Sequence, residues 1–407
     1  MPRLPQTSYR TSFAIIAATF ALLTTGGTLP IPLYTLWGNE FGFGPETTTW
    51  VFAIYVFGTL LALIFFGGLS DQVGRRPLAI AALILAIAST LFFIFASSVP
   101  MLLAARFLSG VSVGLITSAA TAALSELFRG RNKAFPAMIS TAANMGGLGL
   151  GPLIAGASAQ YLPAPTVLIF IVFISLVSAV TVLTFFVPET HARTPGAKIN
   201  WTPRVGVPQQ ARTVYWKSAI AVVPTFTLLG LFSSLTPRFI AQTLQIHNLA
   251  VAGLATFILF EIGVTAQLLF RSRGPQWSLL RGLPLLILSL SLVLTGFLTA
   301  NFLLFGAGTV LGGFGAGLAF MGGLGQLTGV VEHESHAKSV AAYFIAAQSG
   351  LAVPVLTIGA LTPALGLTGA TTAVIVTVIV LAAIALAINA KSSSGPAAVQ
   401  QVSAQEK

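Results

Sequence analysis

Three places in this chain carry residue types able to do chemistry in an otherwise apolar setting. The first is Gly67–Pro77, GGLSDQVGRRP, where Asp71, Arg75 and Arg76 gather around Gly74. The second is Arg106, inside AARFLSGVSVG, and the third is Glu261, inside LATFILFEIG. Their chemistry is ion pairing and proton carriage: an ionisable group deep in an apolar run is a functional residue by default. No catalytic set accompanies them. No nucleophile sits beside a base, and there is no cysteine, which removes disulfides, thiol catalysis and thiolate metal sites. Glu332, His333, Glu334 and His336 lack the His-Glu-x-x-His spacing and read as a solvated loop, so no metal and no cofactor is expected. Gly312–Gly317 follows no strand and is not a dinucleotide fingerprint; no Walker sequence is present, which excludes ATP as the energy source.

The elements that position these residues are long apolar runs. Of the 407 residues, 55% are hydrophobic and 7% charged, whereas a soluble domain carries about 25% charged residues. The outer surface must therefore face lipid. About 20 apolar residues cross the hydrocarbon. Runs of that kind fall at about 13–37, 47–66, 78–97, 101–123, 135–157, 165–187, 218–237, 250–270, 283–299, 302–328, 339–362 and 366–389. This predicts an all-α membrane protein of twelve transmembrane helices in two six-helix bundles. The bundles are residues 1–187 and 218–390, joined by a cytoplasmic linker at 188–217 and followed by a polar tail at 391–407. The first run is too long for a signal peptide and is read as a retained helix. With the N-terminus in the cytoplasm, 18 of the 20 Lys and Arg residues lie on inner segments, Arg106 and Arg238 being the exceptions. The positive-inside rule thus supports cytoplasmic termini, in a multi-pass protein of the plasma (inner) membrane. The net charge of +11 reports topology and does not point to a nucleic-acid partner. The halves also carry a faint repeat: Pro152 and Pro354 lie 202 residues apart, each among glycines.

Gly67-Gly-Leu-Ser-Asp71-Gln-Val-Gly74-Arg75-Arg76 resembles the loop signature Gly-x-Leu-Ala-Asp-Arg-x-Gly-Arg-Arg/Lys of the major facilitator superfamily, with Gln72 at a usually basic position. The resemblance implies two rocking bundles with substrate near the midplane. In that setting Asp71 meets the N-terminal end of a facing helix, Arg75 pairs with Glu126, and the cluster forms a cytoplasmic gate or latch; the plainer alternative is that Arg75 and Arg76 only set topology. Arg106-Phe-Leu-Ser-Gly110-Val-Ser-Val-Gly114 resembles the span-four signature, whose arginine the family links to proton coupling; snorkelling of Arg106 to the outer headgroups is the competing reading. Gly147-Leu-Gly-Leu-Gly151-Pro152-Leu-Ile-Ala-Gly156 resembles the span-five signature that goes with exporters working as proton antiporters, against a background of ordinary small-residue packing. Relatives often carry an acid in span one. Thr24–Tyr34 holds none, which leaves Glu261 as the mid-membrane carboxylate for coupling.

By the family arrangement, the cavity is expected at Tyr34, Arg106, Phe226 and Phe232, flanked by Tyr55, Asn144, Glu261 and Gln348. Aromatic walls with few hydrogen-bonding groups suit hydrophobic or cationic small molecules. The expectation is a monomeric, proton-coupled exporter of such compounds. Its rivals are a carrier for a sugar, organic acid or other metabolite, and a membrane receptor that does not transport; a membrane enzyme is not expected.

Overall fold

The computed structural model describes residues 7–67, 69–130, 135–191, 205–242, 245 and 248–391. Gly68, Arg131, Lys133, much of the expected linker and the tail beyond Lys391 lie outside the described residues, as do the side chains of Asp71 and Arg238. Among the described residues all regular structure is helical.

Ser8 opens the first helix, α1 (Tyr9–Thr28), its Oγ accepting from the Thr11 amide at 3.2 Å. Pro30 and Pro32 then end regular α-helix, and the expected continuous first run breaks into a 3₁₀ turn, Ile31–Leu33, before α2 (Tyr34–Phe41). α3 (Pro45–Leu61) starts on a proline and runs into a π-helical turn at Ala62–Phe66. A short α4 (Ser70–Val73) meets α5 (Arg75–Ile94) at Gly74, whose φ of 110° only glycine adopts without strain. α6 (Val99–Leu127), α7 (Phe135–Tyr161) and α8 (Pro165–Phe185) complete the first half. The second half holds α9 (Arg212–Gln242), α10 (Leu249–Leu269), α11 (Pro275–Leu298), α12 (Phe302–Val330) and α13 (His333–Lys391). Asn248 and Asn301 cap α10 and α12 through their side-chain oxygens.

Ten helical stretches among the described residues are long and apolar enough to cross a bilayer. α7, rich in glycine and serine, is not among them, although its 27 residues reach about 40 Å at 1.5 Å per residue. The last two expected spans form one element, α13, bent where Gly366 takes a φ of 68°. Leu176, Val182, Leu303 and Val380 are among the large apolar side chains left exposed, the surface a lipid-facing protein presents.

Buried side chains divide into two cores. One draws on residues 16–187 with Ala352 and Val355, the other on residues 221–385 with Met145. The two halves repeat their interior bonds about 200 residues apart. Ser89 on α5 donates to the Ala105 carbonyl on α6 at 2.7 Å, and Ser289 on α11 donates to the Gly308 carbonyl on α12 at 2.7 Å. The prolines follow the same rule. Pro152 has no N–H for the Leu148 carbonyl one turn before it, and the Thr28 hydroxyl on α1 donates there at 3.0 Å. Pro354 likewise frees the Gly350 carbonyl, which accepts from Thr227 on α9 at 3.0 Å. The faint sequence repeat therefore corresponds to a repeated solution of one backbone problem.

Replacing either threonine with valine keeps the shape and orphans the carbonyl again. Thr28→Val and Thr227→Val are each expected to cost about 1–3 kcal/mol. The two should add, because they sit in separate cores. Melting temperatures of the detergent-solubilised protein test this, and two single variants that melt like wild type would remove the explanation.

Candidate functional site

Three polar constellations emerge, at the places where the sequence concentrates its chemistry. The first lies at the α4–α5 junction. Arg75 is almost fully buried and forks onto Glu126 at the end of α6: Nη2 to Oε1 at 2.8 Å, and Nε to Oε1 and Oε2 at 3.2 and 3.3 Å. Such bidentate pairs fix geometry as well as charge. Its Nη1 donates to Ser70 Oγ at 2.6 Å. Thr190 donates to the other side of Glu126. Arg76 Nη1 reaches the carbonyls of Phe185 and Val187, both at 3.3 Å, at the end of α8. There a cation also meets the negative end of the helix dipole.

Glu189 was not singled out by the sequence, yet it completes this cluster. Its carboxylate accepts from the Arg75 amide at 2.8 Å and the Arg76 amide at 3.1 Å, the first free donors of α5. A Cβ at Gly74 would fall 2.5 Å from its Oε2, so the glycine admits the carboxylate as well as the turn. The one available signal was an acid directly after Pro188, past the end of an apolar run, in a chain with nine acids.

The second constellation surrounds Arg106, whose exposure is 0%. Its guanidinium crosses from α6 to two neighbours: Nη1 donates to the Gly27 carbonyl of α1 at 2.6 Å, and Nε to the Val51 carbonyl of α3 at 3.4 Å. The Tyr55 ring lies 4.3 Å from the guanidinium carbon and the Tyr34 ring 5.8 Å. Arg106 therefore does not snorkel to the surface. Its Nη2 and the Tyr34 hydroxyl are both buried without a hydrogen-bond partner among the described residues.

The third is the seam between α7 and α10, which run antiparallel and join the two halves. It extends from Met138 and Arg271 at one end, through Met145 and Gln267, to Tyr161 and Asn248 at the other. Glycines set its closeness. A Cβ at Gly156 would stand 2.6 Å from the Leu249 carbonyl, and one at Gly253 would collide with the Pro152 carbonyl. Gly147 and Gly151 turn instead toward Thr24 and Thr28 of α1, so α7 is narrow on two faces. Glu261 points from α10 at this narrow helix. Its Oε1 lies 3.2 Å from where a Gly149 Cβ would be and 3.4 Å from that of Gly146, and it is buried without a partner among the described residues.

The other expected cavity residues are more dispersed. Asn144 and Gln348 are half-buried on α7 and α13. Phe226 packs on Phe320, and Phe232 stacks on Phe305 inside the second core.

Comparison with known proteins gives these features a setting. The family model of the Major Facilitator Superfamily matches residues 14–353. The transporter paaT of Penicillium rubens is 28% identical over 157 residues, which are 38% of this chain and 28% of that protein. The probable drug/proton antiporter YHK8 of Saccharomyces cerevisiae is 31% identical over 119 residues, 29% of this chain and 23% of that protein. The chain thus aligns with only about a quarter of the length of these two relatives. The solved structure of the human organic anion transporter MFSD10 matches with a TM-score of 0.69 at 19% identity, covering 94% of this chain and 100% of that one. At that identity the likeness speaks for the fold alone.

The Glu189 clamp yields a test of the first constellation. Glu189→Ala strips two acceptors from the start of α5 and should cost about 1–2 kcal/mol, the range for a lost helix cap. Glu189→Gln keeps one acceptor oxygen and should fall between the alanine variant and wild type in a thermal melt. Equal melting of all three would show that the clamp contributes nothing to stability.

Proposed function

The chain belongs to the Major Facilitator Superfamily, and from that premise we propose that it is a proton-coupled exporter of small hydrophobic compounds working by alternating access. Family and fold make it a multi-pass membrane transporter rather than an enzyme. Proton coupling, outward direction and the substrate class are the proposal's own steps, as are twelve spans, cytoplasmic termini, a plasma-membrane location and a monomeric state. The twelve-span count takes α7 as a crossing and divides α13 at Gly366.

The observation that carries the reading is Glu261. It is a carboxylate in the interior of a transmembrane helix, half-buried, with an oxygen that no neighbour among the described residues satisfies. It stands at the seam where the halves meet, against a helix thinned by glycine and weakened at Pro152. A proton on Glu261 removes a charge from that seam, so protonation is coupled to how closely α7 and α10 approach. The relative YHK8, described as a probable drug/proton antiporter, agrees in kind. In the same reading the Arg75–Glu126–Glu189 cluster, whose described contacts all lie within the first half, acts as the cytoplasmic latch by bracing α5, α6 and the end of α8 as one body. Arg106, a buried cation, disfavours a positively charged ligand group beside it.

Two measurements test this. In liposomes with an imposed pH gradient, wild-type protein should drive efflux of a hydrophobic dye, and Glu261→Gln should reduce that rate at least tenfold while still binding the dye. Gradient-driven efflux that survives the substitution would place the proton path elsewhere. For topology, the cysteine-free chain accepts single reporters without background. Asn301→Cys should react with an impermeant maleimide from outside intact cells, and Arg273→Cys only after permeabilisation; the reverse pattern would invert the orientation.

A further inference from the structure

The buried cluster around Arg106 has a chemistry that proton coupling does not use up. A guanidinium has five N–H donors and a permanent charge. Here it is wholly buried, and the protein bonds it through Nη1 and Nε to two backbone carbonyls. Those carbonyls supply hydrogen bonds but no negative charge. No described carboxylate pairs with it; Glu126 is held by Arg75. The Tyr34 and Tyr55 ring faces stabilise a cation in part. What stays unmet is specific: among the described residues, one N–H edge of Arg106 at Nη2 and the hydroxyl of Tyr34, two donors in one cluster, have nothing to donate to. Leaving such donors unmet in a buried site is costly, and an acceptor carrying negative charge relieves the charge of Arg106 as well as its hydrogen bond.

We infer that Arg106 and Tyr34 form a binding site for the anionic head of the transported molecule, so that the substrate is an amphipathic organic anion such as an aromatic carboxylate. This deepens the transporter reading and rests on it. A carboxylate offers two acceptor oxygens in one plane, enough for Nη2 and a hydroxyl at once. The aromatic surroundings suit an apolar body behind that head: Tyr34 and Tyr55 border the guanidinium, and Trp37 lies beside Tyr34. Position agrees as well. Tyr34 follows the 3₁₀ turn Ile31–Leu33, which packs against α9 and α10, so the site lies where the first half meets the second. The plainer alternative is that Arg106 only staples α1 and α3 to α6. That alternative gives the Tyr34 hydroxyl no task.

The test uses the full-length protein in detergent, with 1-naphthoate as probe and 1-naphthamide as its uncharged counterpart. Naphthoate should raise the melting temperature in a saturable way, and naphthamide should not. Tyr34→Phe removes only a hydroxyl that bonds nothing among the described residues, so the variant should melt at or above the wild-type temperature without ligand. Its affinity for naphthoate should fall about tenfold. Equal shifts by naphthoate and naphthamide would overturn the site, and so would an unchanged naphthoate affinity in Tyr34→Phe. Binding is read without transport, which separates the two claims. Protein that binds naphthoate through Tyr34 but moves nothing in liposomes keeps the site and loses the transporter reading. Protein that exports a neutral dye and ignores naphthoate loses the site alone.

Discussion

In hydrocarbon a backbone carbonyl released by proline has no water to turn to, and this structure depends on answering that need. Thr28 supplies a donor to Leu148, and Thr227 supplies one to Gly350. Each bond joins the first long helix of a half to the proline-containing helix that borders the other half. The prolines can therefore weaken α7 and α13 without leaving an unsatisfied group in the membrane. The glycines around them let the neighbouring backbone come close enough for a short side chain to reach. A seam thin enough to place Glu261 against α7 follows from the same arrangement.

The charged groups divide according to their surroundings. At the water-facing junction of α4 and α5, Arg75, Arg76, Glu126 and Glu189 satisfy one another and two helix ends. In the interior, Arg106 and Glu261 are each left with one atom unsatisfied among the described residues. A stable protein settles its peripheral charges completely and leaves interior ones incomplete only where another species completes them. Under the proposals above, a proton and an anionic head would be two such species, one for each half.

Much of the architecture is legible in the chain, for physical reasons that also mark the limit. Apolar runs of bilayer length announce the helices, because nothing else buries them. The pairing of Arg75 with Glu126 is readable since few acids exist to choose from. Glu189 is harder: its contact spans 114 residues, and an acid past the end of a helix reads as ordinary solvated surface. Phe232 shows another limit. When a helix is apolar all round, periodicity does not separate the face that meets a neighbouring helix from the face that meets a cavity, and the structure seats this ring on Phe305. Pro30 and Pro32 are visible in the sequence, but hydropathy alone runs through them, which hides the break after α1.

The antiparallel seam has a consequence for energetics. It is held at both extremities by contacts of modest strength: a guanidinium against a thioether between Arg271 and Met138, and amide and phenol groups among Gln160, Leu249, Asn248 and Tyr161. Toward the Tyr161 end, backbone lies against backbone at Pro152–Gly253 and Gly156–Leu249 and yields little. If one half tilts against the other about the Pro152–Gly253 contact, one extremity opens and its opposite is compressed, with the longer arm toward Met138 and Arg271. Contacts of this kind exchange readily for water or lipid, so under alternating access the balance point would fall to whatever occupies the interior.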